Sequence, residues 1–433
     1  MVKHKKLGMA VAGAFALFGV SGAHAFGPIK AGDWDLSVSG EVNAFYTMNH
    51  CDTNGRAVAG GLACATAGAS DEPARQSEIS SGLLPSALVF SAKTTQEGFD
   101  IGVTFGFYPG IANTNGIGNG NSALANSTIN MRQNFLTFGD KEMGTIKMGR
   151  DLGLFGSDAI LSDVTLLGVG APSQGILGSS TNGPFTTSLG RIGTGYIYAD
   201  WIPQITYITP SFDGFQLSAG VFQPLTMSSG VLGGGQTATG HSVPMFQAKG
   251  TYDFKVNEDI KSGRIWGSGL YQRGFCSSAD GCNTNNVGVT AFAGDVGIKA
   301  NVFGFEPVLY YYQGRGVGTT GLFSQSFDAT GGQRNSKGGY AQVSHAFGKW
   351  KPSFSYGLSE LFLGSGEQNT AASSGNVVKF NKMRTQQLQY SLTKALTLVE
   401  EFSTIRSSAQ GGGVNGGTGN YATAISVGAI LFF

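Results

Sequence analysis

The chain has 433 residues, and its 28 Lys and Arg against 27 Asp and Glu give a formal net charge of +1 at pH 7. This balance has neither the basic excess typical of nucleic-acid binding nor a polybasic block that would hold the chain on a membrane surface. Charged residues are 13% of the chain, about half of the usual fraction in soluble domains, and 69 residues are glycine. This composition argues against an ordinary soluble α/β enzyme and favours a β-rich protein with many turns.

The first 25 residues have the layout of a secretory leader. Lys3, Lys5 and Lys6 precede an apolar run from Leu7 to Val20, and Ala23-His24-Ala25 forms a small-x-small cleavage pattern. The run is short for a membrane-spanning helix. We therefore predict a leader at 1–25 that is removed on export, followed by one domain at 26–433.

The four cysteines lie in two local pairs, Cys51 with Cys64 and Cys276 with Cys282. In an exported chain such short-range pairs favour disulfides that close loops. A metal site would need all four thiols to converge, and the CxxC-like spacing typical of such sites is absent. Disulfides are the favoured interpretation over metal ligation or free thiols.

Strand patterns begin at Trp34, where Leu36, Val38, Val42, Ala44 and Tyr46 alternate with polar residues. The last strand pattern, YATAISVGAILFF at 421–433, places large apolar residues on one parity and Ala, Ser and Gly on the other. Such a period of two predicts strands with one apolar face. After tilting, the last segment is long enough to rise roughly 30 Å, about the thickness of a bilayer's hydrocarbon core.

Connections between the predicted strands alternate between short turns and long polar loops. Short turns are predicted at 96–99, 139–144, 211–215 and 347–349. Eight long loops are predicted at 48–82, 109–127, 151–195, 224–242, 275–286, 314–337, 363–379 and 407–420. This asymmetry predicts an all-β fold, a transmembrane antiparallel β-barrel of about sixteen strands.

Several residues on the inward parity are polar or charged, which would make a dry barrel interior costly and favours a lumen filled with water. They include Asp35, Glu41, Asn43, Lys93, Asn130, Arg132, Asn134 and Lys147.

Three stretches resemble the general diffusion porins of the Gram-negative outer membrane: the C-terminal strand ending in Phe433, MGTIKMGRDLG at 143–153, and SLGRIGTGYIYADW at 188–201. The resemblance implies that the third loop leaves strand five, folds into the lumen and returns at strand six. It also implies an outer-membrane homotrimer, and a final aromatic that the assembly machinery reads as an address.

The resemblance further implies a narrow constriction at which acids on the third loop face basic side chains on the wall. Arg150 and Arg191 match the basic positions, and Lys93, Arg132 and Lys147 share the predicted inward parity. FGSDAILSDVT at 155–165 loosely matches the acidic loop and supplies Asp158 and Asp163, which could otherwise be solvated surface acids. Neutralising Arg150 or Arg191 should then favour cations, and neutralising either aspartate should favour anions.

No catalytic or cofactor site is predicted. His50, His241 and His345 lie in loops or at strand ends, without the partner that a nucleophilic site needs. Gly316, Gly318 and Gly321 spell GxGxxG, but no helix follows them. We predict a water-filled pore for ions and small hydrophilic solutes, in contact with outer-membrane lipids, with no cofactor, metal or nucleic acid. The alternatives are a substrate-specific channel and a non-conducting structural or adhesive barrel.

Overall fold

The computed structural model describes residues 29–52, 58–63, 75–111, 129–171, 186–231, 235–256, 260–282, 287–368, 377–412 and 419–433. The predicted leader at 1–25 lies outside these residues. Within these ranges, no helix is both long enough and apolar enough to cross a membrane.

Sixteen antiparallel strands form a closed barrel. The strands, numbered here in chain order, are β1 Trp34–Cys51, β2 in two parts (Arg75–Ser80 and Ala87–Gln96), β3 Phe99–Pro109, β4 Ile129–Asp140, β5 Gly144–Leu152, β6 Trp201–Ile208, β7 Phe215–Phe222, β8 Met245–Phe254, β9 Ile260–Cys276, β10 Val287–Val302, β11 Phe305–Arg315, β12 Asn335–His345, β13 Trp350–Leu361, β14 Val378–Ser391, β15 Leu396–Ala409 and β16 Gly419–Phe432. Each strand pairs with its neighbour in sequence, and β16 closes the barrel on β1, where Phe432 lies opposite Glu41. The predicted fold class and strand number are confirmed.

Smaller elements accompany these sixteen strands, and the first of them pairs with the start of β1. They are the strands Ile29–Ala31, Met227–Ser228 and Thr237–Ala238, the helix α1 Ser157–Ser162, and the 3-10 helices Val164–Leu167, Ser278–Asp280 and Gln410–Gly412.

Long and short connections alternate around the barrel, as predicted. At one end the turns are short, such as Glu97–Gly98 and Phe303–Gly304, where both residues have positive φ. Two such residues fit the type I′ geometry that matches the twist of a two-residue hairpin. The eight long connections all leave the opposite end. The two ends are called the turn end and the loop end below.

Side chains alternate between the two faces of the wall. On β16, Tyr421, Ile425, Val427 and Leu431 are exposed on the outer face, whereas alternate residues such as Ser426 are buried. Exposed large apolar side chains occur on most other strands as well, including Phe90, Phe105, Leu136, Leu217 and Leu309. The outer surface is therefore an apolar band, as the period-two pattern predicted.

Protein fills much of the lumen toward the loop end. One apolar cluster joins inward residues of the wall, such as Trp266 and Tyr312, to loop residues such as Phe155, Met227 and Phe323. The connections that follow β5, β7 and β11 all contribute to it. The prediction of a lumen occupied by water does not hold for this part of the barrel, because the loops bring apolar side chains of their own.

Candidate functional site: a charged cluster beside the inserted segment

The third long connection, residues 153–171 and 186–200, lies inside the barrel and is called the inserted segment. It leaves β5 at Gly153 and forms α1 immediately after Gly156, which has a φ of 74°. Asp163 ends α1 and begins the following 3-10 helix, where its side chain accepts hydrogen bonds from the Thr165 N–H and hydroxyl, both at 2.9 Å. The prediction that the third loop folds into the lumen is confirmed.

Polar side chains of the wall hold the start of this segment. Gln247 Oε1 on β8 accepts from the N–H groups of Leu154 and Phe155 at 2.7 and 2.9 Å. Asp295 Oδ2 on β10 accepts from Gly156 N at 2.9 Å. Buried backbone N–H groups need such partners, and here the barrel wall supplies them.

The wall also holds the remainder of the segment. The Tyr340 hydroxyl donates to Ala159 O at 2.7 Å, and Gln342 on the same strand both donates to Ser162 O and accepts from Val164 N. On β15, Glu401 accepts from the backbone N–H groups of Val169 and Gly170. The segment is therefore fixed along the inner wall from β8 to β15.

Asp158 on α1 faces basic side chains of the wall. Its Oδ2 lies 2.7 Å from Lys249 Nζ, and its Oδ1 lies 3.3 Å from Arg264 Nη1. Arg264 also binds Asp253 through two hydrogen bonds of 2.6 and 2.7 Å. An acid of the inserted segment thus meets bases of the wall, as the resemblance implied, although the bases lie on β8 and β9.

Burial alone would raise the pKa of Asp158, but Lys249 and then Arg264 and Lys299 outweigh it and hold that pKa below its usual value of 3.8. The carboxylate is therefore ionised at neutral pH, although only 4% of its side chain is exposed. Its partners are more accessible, with 17% of Lys249 and 23% of Arg264 exposed.

Further charges extend the cluster toward the turn end. Lys299 on β10 lies directly opposite Arg264 on β9, on the inward parity. Glu306 on β11 forms an ion pair with Lys351 on β13 at 2.5 Å. Asp158, Lys249, Asp253, Arg264, Lys299, Glu306 and Lys351 are together called the charged cluster.

Asp163 and Arg191 do not face each other across an open lumen. Both side chains are completely buried, with Arg191 Nε 3.7 Å from Asp163 Oδ1. The Tyr196 hydroxyl donates to Asp163 Oδ2 at 2.6 Å, and the guanidinium lies over the ring of Tyr340. Gly357 on β13 leaves room for this guanidinium, because a Cβ there would collide with Nη1.

Burial raises the pKa of Asp163 and lowers that of Arg191, while the charge of each opposes the shift of the other. The expectation that these two residues line the constriction is wrong. They form an internal ion pair that ties the outgoing part of the inserted segment to its return, because the segment folds back on itself and excludes water.

Arg150 also departs from its predicted place. It is exposed and lies between Asn134 and Pro203 on the neighbouring strands. It is on the same face of the wall as Leu136 and Met148, which point outward. It therefore projects from the outer face of the barrel and cannot line the constriction.

A β-bulge explains the position of Arg132. Gly106 pairs with Gln133 and Phe107 with Met131, which leaves Arg132 as an extra residue in β4. A bulge of this kind reverses the parity of the residues beyond it. Asn134 consequently faces outward, against prediction.

The buried Arg132 lies 5.0 Å from the ring centroid of Tyr108 and donates to Thr186 Oγ1 at 3.1 Å. It thus contacts the return of the inserted segment, and within the described residues it forms no salt bridge with Asp158 or Asp163.

Lys147 and Lys93 face inward as predicted, but they lie near acids of the wall and not near acids of the inserted segment. Lys147 pairs with Asp151 of the same strand at 2.6 Å, with both side chains largely buried. Lys93 is exposed near the turn end, opposite Asp35. Within the described part of the chain, neither lysine forms a salt bridge with an acid of the inserted segment.

Lys249, Arg264 and Lys299 are not among the site residues predicted from the sequence. A signal was present, because Gln247, Lys249, Thr251 and Asp253 occupy one parity of β8 while aromatic residues occupy the other. The alternation of residues along a strand does not predict which strands the inserted segment contacts.

Cysteine pairing can be described for one loop. Cys276 and Cys282 form a disulfide across the start of the β9–β10 connection. Cys51, at the end of β1, is also disulfide-bonded, and Cys64 lies outside the described residues. No group of three or more His, Cys, Asp or Glu among the described residues is arranged to hold a metal ion.

The final residue, Phe433, pairs through its backbone with Gly40 of β1, with N–O distances of 2.9 and 3.0 Å. Its ring covers Gly40, where a Cβ would come within 2.6 Å of the ring. Phe433 therefore completes the closure between the last and first strands.

Comparison with known structures gives the same architecture. The outer-membrane channel DcaP of Acinetobacter baumannii matches with a TM-score of 0.64 at 14% identity, over 94% of this chain and 100% of that chain. OmpF of Salmonella typhi matches with a TM-score of 0.52 at 13% identity, over the same shares. OmpT of Vibrio cholerae, an outer-membrane protein, matches with a TM-score of 0.51 at 13% identity, over 94% and 99%. The fold is that of outer-membrane porins and channels. No family model matches the sequence, and neither does any curated protein.

Proposed function

We propose that this protein is an outer-membrane channel through which ions and small hydrophilic solutes diffuse passively. One observation carries the proposal: within a sixteen-stranded barrel, the inserted segment presents Asp158 to Lys249 and Arg264 beside a partly exposed group of charges. Opposed charges at a narrowing select solutes by charge and size. A barrel of this strand number is wide enough for an aqueous path beside the segment.

An outer-membrane location is supported by the apolar outer band and by the likeness of the fold to outer-membrane channels. A barrel leaves no unpaired strand edge in the hydrocarbon, so its backbone polar groups are satisfied within the wall. The predicted leader at 1–25 and the mature domain at 26–433 belong to the same proposal.

A homotrimer is supported by charged side chains on the lipid-facing side of the wall. Glu400 is exposed on the outer face between Leu388 and Val427. Glu400 is four residues beyond the start of β15 at the turn end. Along the barrel axis, this places it at a height of roughly 10 Å from that end. Arg150 lies about 15 Å above the first residue of β5 by the same measure.

Both depths fall within the ~25 Å apolar band of such barrels, where an exposed Arg costs about 2–4 kcal/mol and an acid less. Neither residue forms a salt bridge with any other described residue. Contact with neighbouring copies would remove these charges from lipid.

A substrate-specific channel is the second candidate, and the apolar cluster at the loop end favours it. Loop residues from several connections fill the lumen there, which would restrict entry more than an open porin mouth does. A non-conducting structural or adhesive barrel would need the remaining path to be closed as well.

Liposome swelling tests the proposal. Refolded protein should let vesicles swell in neutral sugars, at rates that fall with increasing sugar size. Swelling with one class of solute alone would favour the specific channel, and no swelling with any solute would contradict the proposal. Vesicles with heat-denatured protein are the matched control.

A further inference from the structure

The charges of the charged cluster do not balance. Asp158 is neutralised by Lys249 and Arg264, Asp253 by Arg264, and Glu306 by Lys351. Three acids therefore face four bases. Lys299 is the base that forms no salt bridge with another described residue.

The strand register places this surplus positive charge at Lys299. Lys299 lies directly opposite Arg264 on the inward face, and like charges placed opposite each other across two strands are destabilising. Asp253 lies on the other side of Arg264 and binds it through two hydrogen bonds. The strand on the far side of Lys299 offers only Val308 at the same level. Glu306, two residues away on that strand, acts on Lys299 from a distance but forms its salt bridge with Lys351.

Water can reach this position. Lys299 is partly exposed, and the cluster is more open toward the turn end, where 52% of Asp253 and 41% of Glu306 are exposed. A passing anion could therefore approach the Lys299 ammonium without displacing the inserted segment.

We propose that Lys299, together with Arg264, forms a transient binding site for anionic solutes, so that the channel passes anions in preference to cations. The site rests on the proposed function and adds its solute class: small molecules that carry a carboxylate, phosphate or other anionic group. A carboxylate or phosphate would supply the negative charge that the wall lacks, and a guanidinium beside an ammonium suits either anion. The site is partly hydrated, so binding is weak enough for release.

Reversal potentials under a potassium chloride gradient test the proposal. The wild type should favour chloride, and Lys299→Gln should lower the chloride-to-potassium permeability ratio by about twofold or more, because one pore charge is lost. Lys299→Arg should keep the wild-type ratio. The matched control is Lys141→Gln, an equal charge change at an exposed residue of the β4–β5 turn.

Heat-modifiable migration in gels reports whether each variant has folded. A conducting wild type that favours potassium would overturn the inference, as would a folded Lys299→Gln variant with the wild-type ratio, and both results leave the proposed function intact. A folded wild type that passes no current would overturn the proposed function, and this site with it.

Discussion

Asp158 and Asp163 lie five residues apart on the inserted segment, yet they have different surroundings. Asp158 meets bases of the barrel wall that water partly reaches, whereas Asp163 is enclosed with Arg191 and Tyr196. The resemblance covers this stretch and predicts that its acids face basic side chains of the wall. It does not predict which acid faces the lumen, since that depends on how the segment packs against β8, β9 and β12.

Replacing Asp158 by Asn should shift the channel further toward anions, because Lys249 would lose its carboxylate partner. The wild type should show the same shift toward anions only at acidic pH. The lowered pKa of Asp158 means that its ion pairs are complete above the usual value of 3.8 and are lost as the pH falls through the lowered pKa. The Asn variant should lack this component of the pH dependence.

Reversal potentials recorded from about pH 7 to well below about pH 4, near which ordinary carboxyl groups titrate, would measure both effects, because the pKa of Asp158 is lowered. Glu142→Gln, an equal charge change in an exposed turn, is the control. Identical pH profiles for the wild type and Asp158→Asn would show that this aspartate does not act on the permeating ions.

At the scale of elements, the alternation of residues predicts strands well but cannot reveal a bulge. β1 and β16 face the way their patterns indicate, while β4 reverses its parity at Arg132. The extra residue is set by pairing with β3, and Asn134 faces outward as a consequence. Arg150 faces outward through the regular alternation of β5, three residues after the inward-facing Lys147. The predicted basic side of the constriction failed at Arg150, which lies on the opposite parity of β5 from Lys147, and at Arg191, which is enclosed with Asp163.

Deleting Phe433 should lower the yield of folded barrel. The last residue forms both backbone hydrogen bonds with Gly40, and its ring covers that glycine. Its loss removes the final pairing between β16 and β1 as well as an aromatic anchor at the membrane interface. The heat-modifiable fraction after refolding into detergent measures the effect.

Phe433→Tyr keeps the ring and both hydrogen bonds, so it should refold like the wild type. An unchanged yield for the deletion would show that closure does not depend on the terminal residue.

At the scale of the whole molecule, the spacing of short turns and long loops was enough to predict a closed barrel of sixteen strands. The packing of loop residues from several connections into the apolar cluster was not predictable in the same way. Phe323 and Met227 are scattered apolar residues in otherwise polar loop sequences. They come together only once the barrel has closed. The barrel interior is therefore more filled toward the loop end than strand number alone implies.

Single-channel recording in a planar lipid bilayer tests directly whether the barrel conducts ions. Refolded, heat-modifiable protein should produce discrete current steps that scale linearly with voltage, as the proposed aqueous path beside the inserted segment requires. Folded protein that inserts into the bilayer without producing such steps would contradict the account.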